Sequence, residues 1–392
     1  MRNIILHDTP EAYSGLLPLT FTRPVAELHI GFGSIRSKWE RMLPGRYSYS
    51  TAPYLAELFP QESAPADSLT IASGIIPTPA LAEAVAALPA GVMLAGADGK
   101  PIAMNGFNDP AKARGTIAWN GPAPTAITRP YDLFINNADA IKADFAALVP
   151  QGTDATISAT CTVIGDPALV FIHPEAYVEG VTLNTKAGPI YIDRGAEVME
   201  GSCLRGPIYI GRHATVNMGT RIYGASTIGT HCKVGGELNN VVMHPYSNKA
   251  HDGFLGNAVI GSWCNLGAGC VASNLKNDYT EIKLWDYTSR RFLRTGLQFC
   301  GLIMGDHSKA GINTMFNTAT VVGVGVNIHG TGFPRNFVAS FSEGSAGTGF
   351  GDVPLTKFFA IAERVMARRD ITLTEPMRRL FTELHSLTEC YK

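Results

Sequence analysis

The sequence predicts an α/β region at the N-terminus followed by a parallel β-helix, and a repeat of six residues is the main evidence. Large apolar residues recur at this spacing in three runs: Ile192, Val198, Leu204, Ile210, Val216, Ile222, Ile228 and Val234; Phe254, Ile260, Leu266 and Ala272; Met304, Ala310, Phe316, Val322 and Ile328. The next residue is often glycine, and the residue four places on is often small, as at Ala196, Ser202, Ala214, Thr220, Ser226 and Cys232. Neither an α-helix nor an alternating strand has this period. A hexapeptide β-helix does, with three hexads closing one coil of about 18 residues. We therefore expect the apolar and small residues to point into the coil.

Residues 1–150 show the alternation of short strands and helices that is typical of an α/β domain. In chain order we predict a strand at residues 2–6, a helix at 34–42 with Ser34 as its N-cap, a strand at 69–76 and an Ala-rich helix at 79–88 that starts with proline. Residues 91–95 and 101–104 predict a hairpin around Asp98-Gly99, and residues 137–148 predict a helix.

Residues 151–345 are assigned to the β-helix and residues 346–392 to a C-terminal helical tail. The hexads are interrupted twice, between Val234 and Phe254 and between Ser273 and Gly301. Because a coil tolerates insertions as loops that project from a corner, we expect both interruptions to be such loops, which often carry function. In the tail, residues 356–369 predict an amphipathic helix that packs on the coil end or on a neighbouring subunit.

The composition argues against several classes of partner. The formal net charge is −1 without a basic run, which disfavours nucleic acid. No apolar run approaches the ~18 residues of a membrane helix, and the first residues do not fit a signal peptide, so we expect no membrane partner and a cytoplasmic location. Three of the seven cysteines, Cys232, Cys264 and Cys270, fall on the small inward position and are interpreted as packing thiols.

Motifs in the coil support a more specific interpretation. The segment ELNNVVMHPYSNKAHDGFLGNAVIGSWCNLGAG contains a Glu, a His fourteen residues later, then Phe-Leu-Gly and Asn-x-Gly-Ala-Gly. Over about residues 215–335 the chain resembles the acetyltransferase half of the bifunctional UDP-N-acetylglucosamine pyrophosphorylase/glucosamine-1-phosphate N-acetyltransferase family. The segment LLPLTFTRPVAELHIGFGSIRSKWE looks like a divergent form of that family's N-terminal nucleotidyltransferase domain, and the whole chain most resembles the shorter, alternative branch. The resemblance implies a left-handed parallel β-helix, a homotrimer, and acetyl-CoA bound between adjacent coils with an amino-sugar phosphate nearby.

The resemblance also implies roles for residues of the coil. His251 matches the family's general base, a role that suits an imidazole because it takes up a proton near neutral pH. Glu237 matches the carboxylate expected to orient this base, and Arg221 matches an arginine that binds the sugar phosphate. Asn265 and Ala268 match the substrate and cofactor positions of the Asn-x-Gly-Ala-Gly motif.

The chain departs from the family at several positions. A substrate-binding lysine of the family is replaced by Asn239, and a tyrosine is replaced by Phe254, which keeps the ring and loses the hydroxyl. Lys249 is a candidate for the missing phosphate contact, and Gly330, where the hexads end, is a further candidate contact of the cofactor. Because polar contacts are lost, the exact acceptor sugar stays open.

The N-terminal region carries fewer signs of its family's chemistry. A nucleotidyltransferase of this class needs a glycine-rich loop after its first strand, basic residues for the triphosphate and an Asp for Mg²⁺. Here the first strand is followed by His7-Asp8-Thr9-Pro10. The candidate basic residues are Arg23, Arg36 and Lys38. Asp98 and Asp109 are possible metal ligands without a supporting motif, so the metal is left unknown.

The leading functional hypothesis is an acetyl-CoA-dependent N-acetyltransferase that acts on an amino-sugar phosphate, with glucosamine-1-phosphate as the expected acceptor, in UDP-N-acetylglucosamine synthesis. One alternative is a Mg²⁺-dependent sugar-1-phosphate uridylyltransferase that uses the N-terminal domain. The other is a non-catalytic, trimeric scaffold that binds sugar nucleotides.

Overall fold

The computed structural model describes residues 2–150 and 156–392, which fall into two compact units. The first unit comprises Met1–Leu28 and Gly33–Asp132, and the second comprises His29–Phe32 and Leu133–Lys392. The second unit thus includes a short segment from early in the chain. The predicted boundary at residue 151 lies outside the described residues.

The first unit is built around a mixed six-stranded sheet. Its strands, in spatial order, are Arg46–Ser50, Asn3–His7, Ser68–Ala72, Pro101–Asn105, Val92–Ala95 and Gly115–Ala118. The first three are parallel, and Pro101–Asn105 runs antiparallel to both of its neighbours, which confirms the predicted hairpin. Strand Asn3–His7 lies between two parallel neighbours, and its apolar residues are fully buried, as expected for a strand covered on both faces.

The helices of the first unit are Pro10–Gly15, Ile35–Met42 and Pro79–Ala86, and helix Pro130–Ile135 begins near its end. The first three follow Thr9, Ser34 and Thr78, whose side-chain oxygens accept hydrogen bonds from backbone N–H groups of the first turn. The predicted helices at 34–42 and 79–88 are confirmed, with small differences at their ends. The first unit also contains the short strand Gly33–Ser34 and the 3₁₀ turns Leu19–Phe21, Val25–Glu27, Pro53–Leu55, Pro65–Asp67 and Pro110–Lys112, whereas the short strand His29–Ile30 belongs to the second unit.

The second unit is dominated by a parallel β-helix whose strands form two long sheets. The larger sheet contains Thr162–Ile164, Val170–Ile172, Thr182–Asn184, Ile190–Ile192, Cys203–Arg205, Ile208–Ile210, Arg221–Tyr223, Ser226–Ile228, Glu237–Met243, Phe254–Ile260, Val271–Ala272, Ile303–Met304, Met315–Phe316, Val321–Val322 and Phe337–Val338. The smaller sheet contains Tyr177–Val178, Glu197–Val198, Thr215–Val216, Lys233–Val234, Asn248–Lys249, Asn265–Leu266, Lys309–Ala310, Asn327–Ile328, Ser342–Ser345 and Gly349–Asp352. Ile192, Ile210 and Ile228 lie side by side in adjacent turns, which confirms the 18-residue coil in its regular part.

The hexad positions form the interior of this coil. The large apolar members of the first and third runs are buried, and so are the small residues between them, including Cys232, Cys264 and Cys270. Burial raises the pKa of the Cys232 and Cys264 thiols to about 12, so both stay protonated at neutral pH. The interpretation of these cysteines as packing residues is confirmed.

The prediction of a projecting loop at the first interruption was wrong. Residues 235–253 do not form a projecting loop: strands Glu237–Met243 and Asn248–Lys249 pair in parallel with the turns before and after them. The apolar positions in this turn are Leu238 and Met243, and Lys249 stands where Val234 stands in the preceding turn. The strict six-residue step misses this turn because its corners are shorter and because a lysine occupies an inward position.

The second run of hexads also needs a one-residue correction. Phe254, predicted to point inward, lies half-buried on the outer side of its strand, whereas Leu255 is fully buried in the coil. The second interruption is an insertion, as predicted. It contains an antiparallel hairpin formed by Lys283–Asp286 and Arg291–Arg294, after which the coil resumes at Ile303–Met304.

Helices flank the coil within the second unit. Helix Asn137–Leu148 is confirmed, and its first residue is fully buried, with the Asn137 amide hydrogen-bonded to Gly31 N (2.8 Å), Thr227 Oγ1 (3.0 Å) and Ala225 O (3.1 Å). The predicted tail helix is confirmed at Leu355–Ala367 and is followed by Glu375–Thr388. The 3₁₀ turns here are Pro167–Leu169 and Glu389–Tyr391. Within the described part of the chain, every helix is too short or too polar to cross a membrane.

Candidate functional site

The first cluster of predicted site residues lies on the outer face of three neighbouring strands. Arg221, Glu237 and Phe254 are aligned in successive turns. The Glu237 carboxylate accepts a hydrogen bond from Tyr223 Oη (2.6 Å) and forms an ion pair with Arg221 (Nη2 to Oε2, 3.7 Å). The hydrogen bond to Glu237, together with partial burial, raises the pKa of Tyr223, so its hydroxyl stays a donor at neutral pH. We call these four residues, with Asn239, the Arg221 face.

The Arg221 face keeps its polar groups accessible. The Arg221 side chain is 55% exposed, and an ion pair this open contributes only about 0–1 kcal/mol, so a ligand can compete for the guanidinium at low cost. Asn239 lies in register with Tyr223, and its Oδ1 accepts from Asn240 Nδ2 (2.5 Å). This face therefore offers a cation, a carboxylate, an amide and an aromatic ring side by side.

His251 lies in the corner that leads from Asn248–Lys249 to Phe254–Ile260, and its side chain is exposed. The backbone of this corner is held by side chains and by the next turn. Lys249 Nζ donates to His251 O (2.7 Å), Asn217 Nδ2 donates to Ala250 O (2.7 Å), and Gly269 N donates to Asp252 O (3.0 Å). The imidazole thus projects from a fixed backbone. Within the described ranges no side chain hydrogen-bonds its ring, and Glu237 contacts Arg221 and Tyr223 instead.

Lys249 occupies an unusual position for a charged residue. It is 1% exposed, and its ammonium donates to Gly235 O (3.1 Å) as well as to His251 O. Burial lowers the pKa of Lys249 from 10.5 to about 8. The structure therefore places this side chain inside the coil beneath the His251 corner, whereas the sequence suggested a contact with a ligand phosphate.

A second candidate region is a pocket of about 440 Å³ between the smaller sheet and the C-terminal helix. Its lining combines four basic side chains with amides and aromatic rings: Lys233, Lys309, Arg368, Arg369, Asn248, Asn265, Tyr246, Trp263, Cys264, Ala250 and Val365. We call it the cationic pocket. Its described lining contains no acidic residue. Such a pocket attracts anions.

Two groups inside the cationic pocket are incompletely satisfied. Asn248 Oδ1 is buried without a hydrogen-bond partner in the described structure, a state that costs about 1–3 kcal/mol. Burial lowers the pKa of Lys309 to about 8, and its Nζ donates to His307 O (2.8 Å), a neutral acceptor. A ligand with both donors and negative charge would improve both environments.

The remaining candidate site residues of the coil do not lie on the Arg221 face. Asn265 is in register with Asn248 and Lys309 on the smaller sheet, so it lines the cationic pocket and not the Arg221 face. Ala268 is exposed in the corner one turn beyond His251. Gly330 is exposed in a later corner, where its φ of +78° favours glycine. The His251 corner lies between the strand that carries Asn248 and the strand that carries Phe254.

The candidates of the first unit do not form a comparable cluster. Arg36 is occupied by Glu40 (2.7 Å), Tyr49 Oη (2.5 Å) and Glu27 (3.7 Å). Lys38 is 2% exposed, and Arg23 is half-buried just before a 3₁₀ turn. Arg23, Arg36 and Lys38 were predicted from the sequence to contact a triphosphate. The arrangement of Arg36 and Lys38 fits a role in packing better.

A buried carboxyl group lies at the end of the central strand of the first unit. Asp8 accepts hydrogen bonds from Ser73 Oγ (2.6 Å), Thr51 Oγ1 (2.6 Å) and Val25 N (3.1 Å), and burial raises its pKa to about 6. Ser73 follows the neighbouring parallel strand, so this pair marks the switch point at which sheets of this kind commonly bind ligands.

The possible metal ligands have local roles. Asp98 accepts from Lys100 N in the hairpin turn (3.1 Å), and Asp109 caps a 3₁₀ turn through Ala111 N (3.0 Å). Among residues 2–150 and 156–392, no group of three or more His, Cys, Asp or Glu side chains could hold a metal ion. The described residues therefore do not fit a protein-only metal centre.

Several residues of the Arg221 face, the His251 corner and the cationic pocket were not predicted from the sequence. Tyr223 could have been found, because it lies two residues after Arg221 and so shares its face of the strand. Asn217, Lys233 and Lys309 carry no motif, and Arg368 and Arg369 reach the cationic pocket from a helix far along the chain. Only the tertiary fold brings them together.

Comparisons with known proteins give different results for the N-terminal region and for the β-helix. The sugar nucleotidyl transferase family matches residues 4–151, which is less than half of the chain. This agrees with the nucleotidyltransferase-like prediction for the N-terminal region, while the specific bifunctional family is not confirmed. No curated protein sequence matches the chain significantly.

Solved structures that resemble this chain include hexapeptide-repeat transferases at low similarity. A hexapeptide transferase family protein from Anaplasma phagocytophilum is 11% identical, with 59% of this chain and 93% of that chain covered and a TM-score of 0.26. A mutant of AntD, an N-acyltransferase from Bacillus cereus, in complex with dTDP and coenzyme A is 14% identical, with 53% and 91% covered and a TM-score of 0.23. The Arabidopsis UDP-N-acetylglucosamine acyltransferase is 14% identical, with 60% and 93% covered and a TM-score of 0.20. At these scores the likeness carries no argument about the activity of this chain.

Proposed function

We propose that this chain transfers the acetyl group of acetyl-CoA to the amine of an amino-sugar phosphate, with glucosamine-1-phosphate as the first acceptor to test. The observation that carries the proposal is the exposed His251 imidazole on a corner whose backbone is fixed by Lys249, Asn217 and Gly269. A fixed base with an accessible ring is what proton removal from an attacking amine requires. The sequence motif around His251 supports the same role.

The proposed reaction needs one proton transfer and one positioned anion. As the amine nitrogen bonds to the acetyl carbon and the thiol of coenzyme A leaves, His251 takes the amine proton and can pass it to the leaving sulfur. Arg221 would bind the acceptor phosphate through its two-pronged guanidinium. Glu237, tied to Tyr223, would hold the Arg221 side chain in place and accept hydrogen bonds from sugar hydroxyls.

The cationic pocket is proposed to hold the phosphates of acetyl-CoA. Its four basic side chains, with no acidic residue in the described lining, fit a polyanionic cosubstrate, and Asn248 Oδ1 offers an unused acceptor to it. Ala268 and Gly330, both exposed in corners, would leave room for the chain of the cosubstrate. Arg368→Ala is expected to raise the KM for acetyl-CoA about tenfold or more and to leave the acceptor KM unchanged.

A homotrimer is proposed because one coil does not enclose its own site. The Arg221 face and Asn265 lie on different sheets, with the His251 corner between them, and the outside of a coil corner is convex. Small-molecule sites are normally concave, so a second surface must complete the site. A neighbouring copy can supply it, and light scattering coupled to gel filtration would measure the oligomeric state.

The decisive assay is release of coenzyme A thiol from acetyl-CoA with glucosamine-1-phosphate. Wild type is expected to turn over, and His251→Ala is expected to lose at least about a hundredfold in kcat, in line with the loss of a general base. His213→Ala, which removes another exposed imidazole, is the matched control. Equal turnover by the wild type and His251→Ala would reject His251 as the base.

A second experiment separates acceptor binding from chemistry. Arg221→Ala should raise the KM for the sugar phosphate about tenfold or more with little change in the KM for acetyl-CoA, since a charged hydrogen bond is worth about 1.5–3 kcal/mol. An unchanged acceptor KM would show that the phosphate binds elsewhere.

A second candidate function concerns the first unit, because residues 4–151 match the sugar nucleotidyl transferase family. Uridylyl transfer to a sugar 1-phosphate would be detected as pyrophosphate release from UTP with Mg²⁺. The position of Asp8 weighs against it: a carboxylate at the switch point, with no glycine-rich loop, repels a triphosphate. Absence of pyrophosphate release, with acetyl transfer intact, would leave binding of a sugar nucleotide or packing as the role of this unit.

A further inference from the structure

The insertion between the coil turns forms a pocket separate from the regions described above. It has a volume of about 690 Å³, within the range of about 300–1,000 Å³ typical of small-molecule sites. Its lining combines aromatic rings, basic side chains and neutral polar groups: Trp285, Phe292, Phe337, Lys276, Lys283, Arg335, Thr318 and Asn336. We call it the insertion pocket.

The aromatic floor of the insertion pocket is built by the hairpin and the coil together. Trp285 and Phe292 face each other across the hairpin, with ring centroids 5.3 Å apart in an edge-to-face arrangement. Trp285 also stacks on Phe337 of a coil strand, at 4.2 Å and 14°. This stacking fixes the hairpin on the coil, while Phe292 remains 41% exposed at the pocket. An exposed ring in a pocket offers a face to a planar ligand.

The indole of Trp285 carries an unused hydrogen-bond donor. Its Nε1 is buried and has no hydrogen-bond partner within residues 2–150 and 156–392. Buried donors in native proteins nearly always have a partner, and a missing one costs about 1–3 kcal/mol. An acceptor atom on a bound molecule would remove this cost.

Two basic residues of the insertion pocket, Lys283 and Arg335, form no ion pair within residues 2–150 and 156–392, whereas the charge of Lys276 interacts with Asp278. No Asp or Glu is among its described lining residues. Lys276 Nζ is held by Glu281 O (3.0 Å) and Thr280 Oγ1 (3.4 Å), both neutral acceptors. The carboxylate of Glu281 is itself taken up by Arg294 Nη1 (3.0 Å) and Gly296 N (2.7 Å). The positive potential of Lys283 and Arg335 is therefore available to an anion, and Lys276 adds a cation that Asp278 compensates in part.

We propose that the insertion pocket binds a nucleoside phosphate, with its base against Phe292 and Trp285 and its phosphate on Lys276, Lys283 and Arg335. The combination of aromatic rings and cations in the insertion pocket indicates the class of ligand. Cations alone would fit any anion, and aromatic rings alone would fit any apolar molecule. Aromatic rings beside cations fit a planar, hydrogen-bonding ring joined to phosphate. The insertion pocket shares no lining residue with the cationic pocket or the Arg221 face.

The test measures binding of ADP and UDP to the full-length protein by isothermal titration calorimetry at constant ionic strength. Adenosine, uridine and inorganic phosphate are the partial probes. Both nucleoside diphosphates are expected to bind, and each partial probe at least about tenfold more weakly, because each lacks one half of the recognition. Absence of nucleotide binding would overturn the proposal.

Variants then assign the binding to this pocket. Lys283→Ala and Arg335→Ala should each weaken nucleotide binding about tenfold, and Phe292→Ala should weaken nucleotides without changing phosphate binding. The matched control is Arg291→Ala, which removes an exposed cation of the same hairpin outside the pocket lining and should have no effect. Nucleotide binding unchanged in Lys283→Ala and Arg335→Ala would place the site elsewhere, including in the first unit. Equal binding of phosphate and nucleotide, together with no effect of Phe292→Ala, would reduce the pocket to a simple anion site and reject the proposal.

Discussion

Lys249 gives the sharpest test of how this coil is built, because a charged side chain stands in an apolar column. In register with Val234 and 1% exposed, it donates to two backbone carbonyls, Gly235 O and His251 O. Neutral acceptors compensate a buried ammonium only in part, and burial lowers its pKa from 10.5 to about 8. The perturbation we consider is Lys249→Met, which keeps the length of the chain and removes the charge.

The size and sign of the effect follow from the pKa. A drop from 10.5 to about 8 corresponds to about 3 kcal/mol of unfavourable free energy for the charged native state. Below pH 8 both folded and unfolded chains are protonated, so the penalty is fully present. Between pH 8 and 10.5 the unfolded chain binds more protons than the native one, so the stability of the wild type rises with pH. The Met variant lacks this contribution, although its unpaired carbonyls add a pH-independent cost of about 1–3 kcal/mol.

The assay is urea unfolding of the wild type and Lys249→Met at pH 7 and pH 10.5, followed by far-UV circular dichroism. The quantity compared is the difference in free energy of unfolding between the two proteins. We expect it to shift by about 3 kcal/mol in favour of the wild type at the higher pH. Lys233→Met, which removes an exposed ammonium from the neighbouring strand, should show no such shift. A difference for Lys249→Met that is the same at both pH values would refute the burial argument.

Two further predictions concern backbone space and a buried acid. Gly253→Ala should destabilise the coil by about 2 kcal/mol or more, because a Cβ would lie 2.0 Å from Cys270 O and φ is +127°. Gly219→Ala, with φ of +70° and open space around the added Cβ, should cost only about 1–2 kcal/mol. Similar urea midpoints for the two variants would contradict the steric argument. For Asp8, burial raises the pKa from 3.8 to about 6, so between these values the native state binds more protons and stability falls as pH rises. Asp8→Asn should therefore reduce the change in stability of the first unit between pH 4 and 6 by about 2 kcal/mol, measured by thermal unfolding across this range. An unaltered slope would show that Asp8 is not the group responsible.

The interior of the coil was predictable because it depends on local spacing. Each inward residue repeats the contact of the residue one turn earlier, so a period read from the sequence places Ile192, Ile210 and Ile228 in one column without tertiary information. The corner position of His251 was not predictable in this way, because the turn that contains it departs from the six-residue step and the sequence therefore predicted a projecting loop there.

The candidate site was predictable only in part. The partners that hold the His251 corner, Asn217 and Lys249, act through hydrogen bonds to backbone carbonyls, which leave no signal in side-chain spacing. The sequence assigned Lys249 to solvent because lysines seldom point into an apolar core. Arg368 enters the cationic pocket from the C-terminal helix, a contact set by how that helix packs and not by the repeat.

Departures from the six-residue repeat, more than the repeat itself, position the residues of the candidate site. Strict steps of six from Val234 would place inward residues at 240 and 246 and leave Glu237 in a corner. The inward residue is Leu238 instead, four residues on, because the corner is reduced to Gly235 and Gly236. A Cβ at residue 236 would lie 2.8 Å from Asp252 Cα, and its φ is +78°, so the tight corner depends on glycine. This short corner starts the next strand at Glu237 and thereby sets its carboxylate beside Arg221, 16 residues earlier, whereas the regular 18-residue register would set residue 239 there.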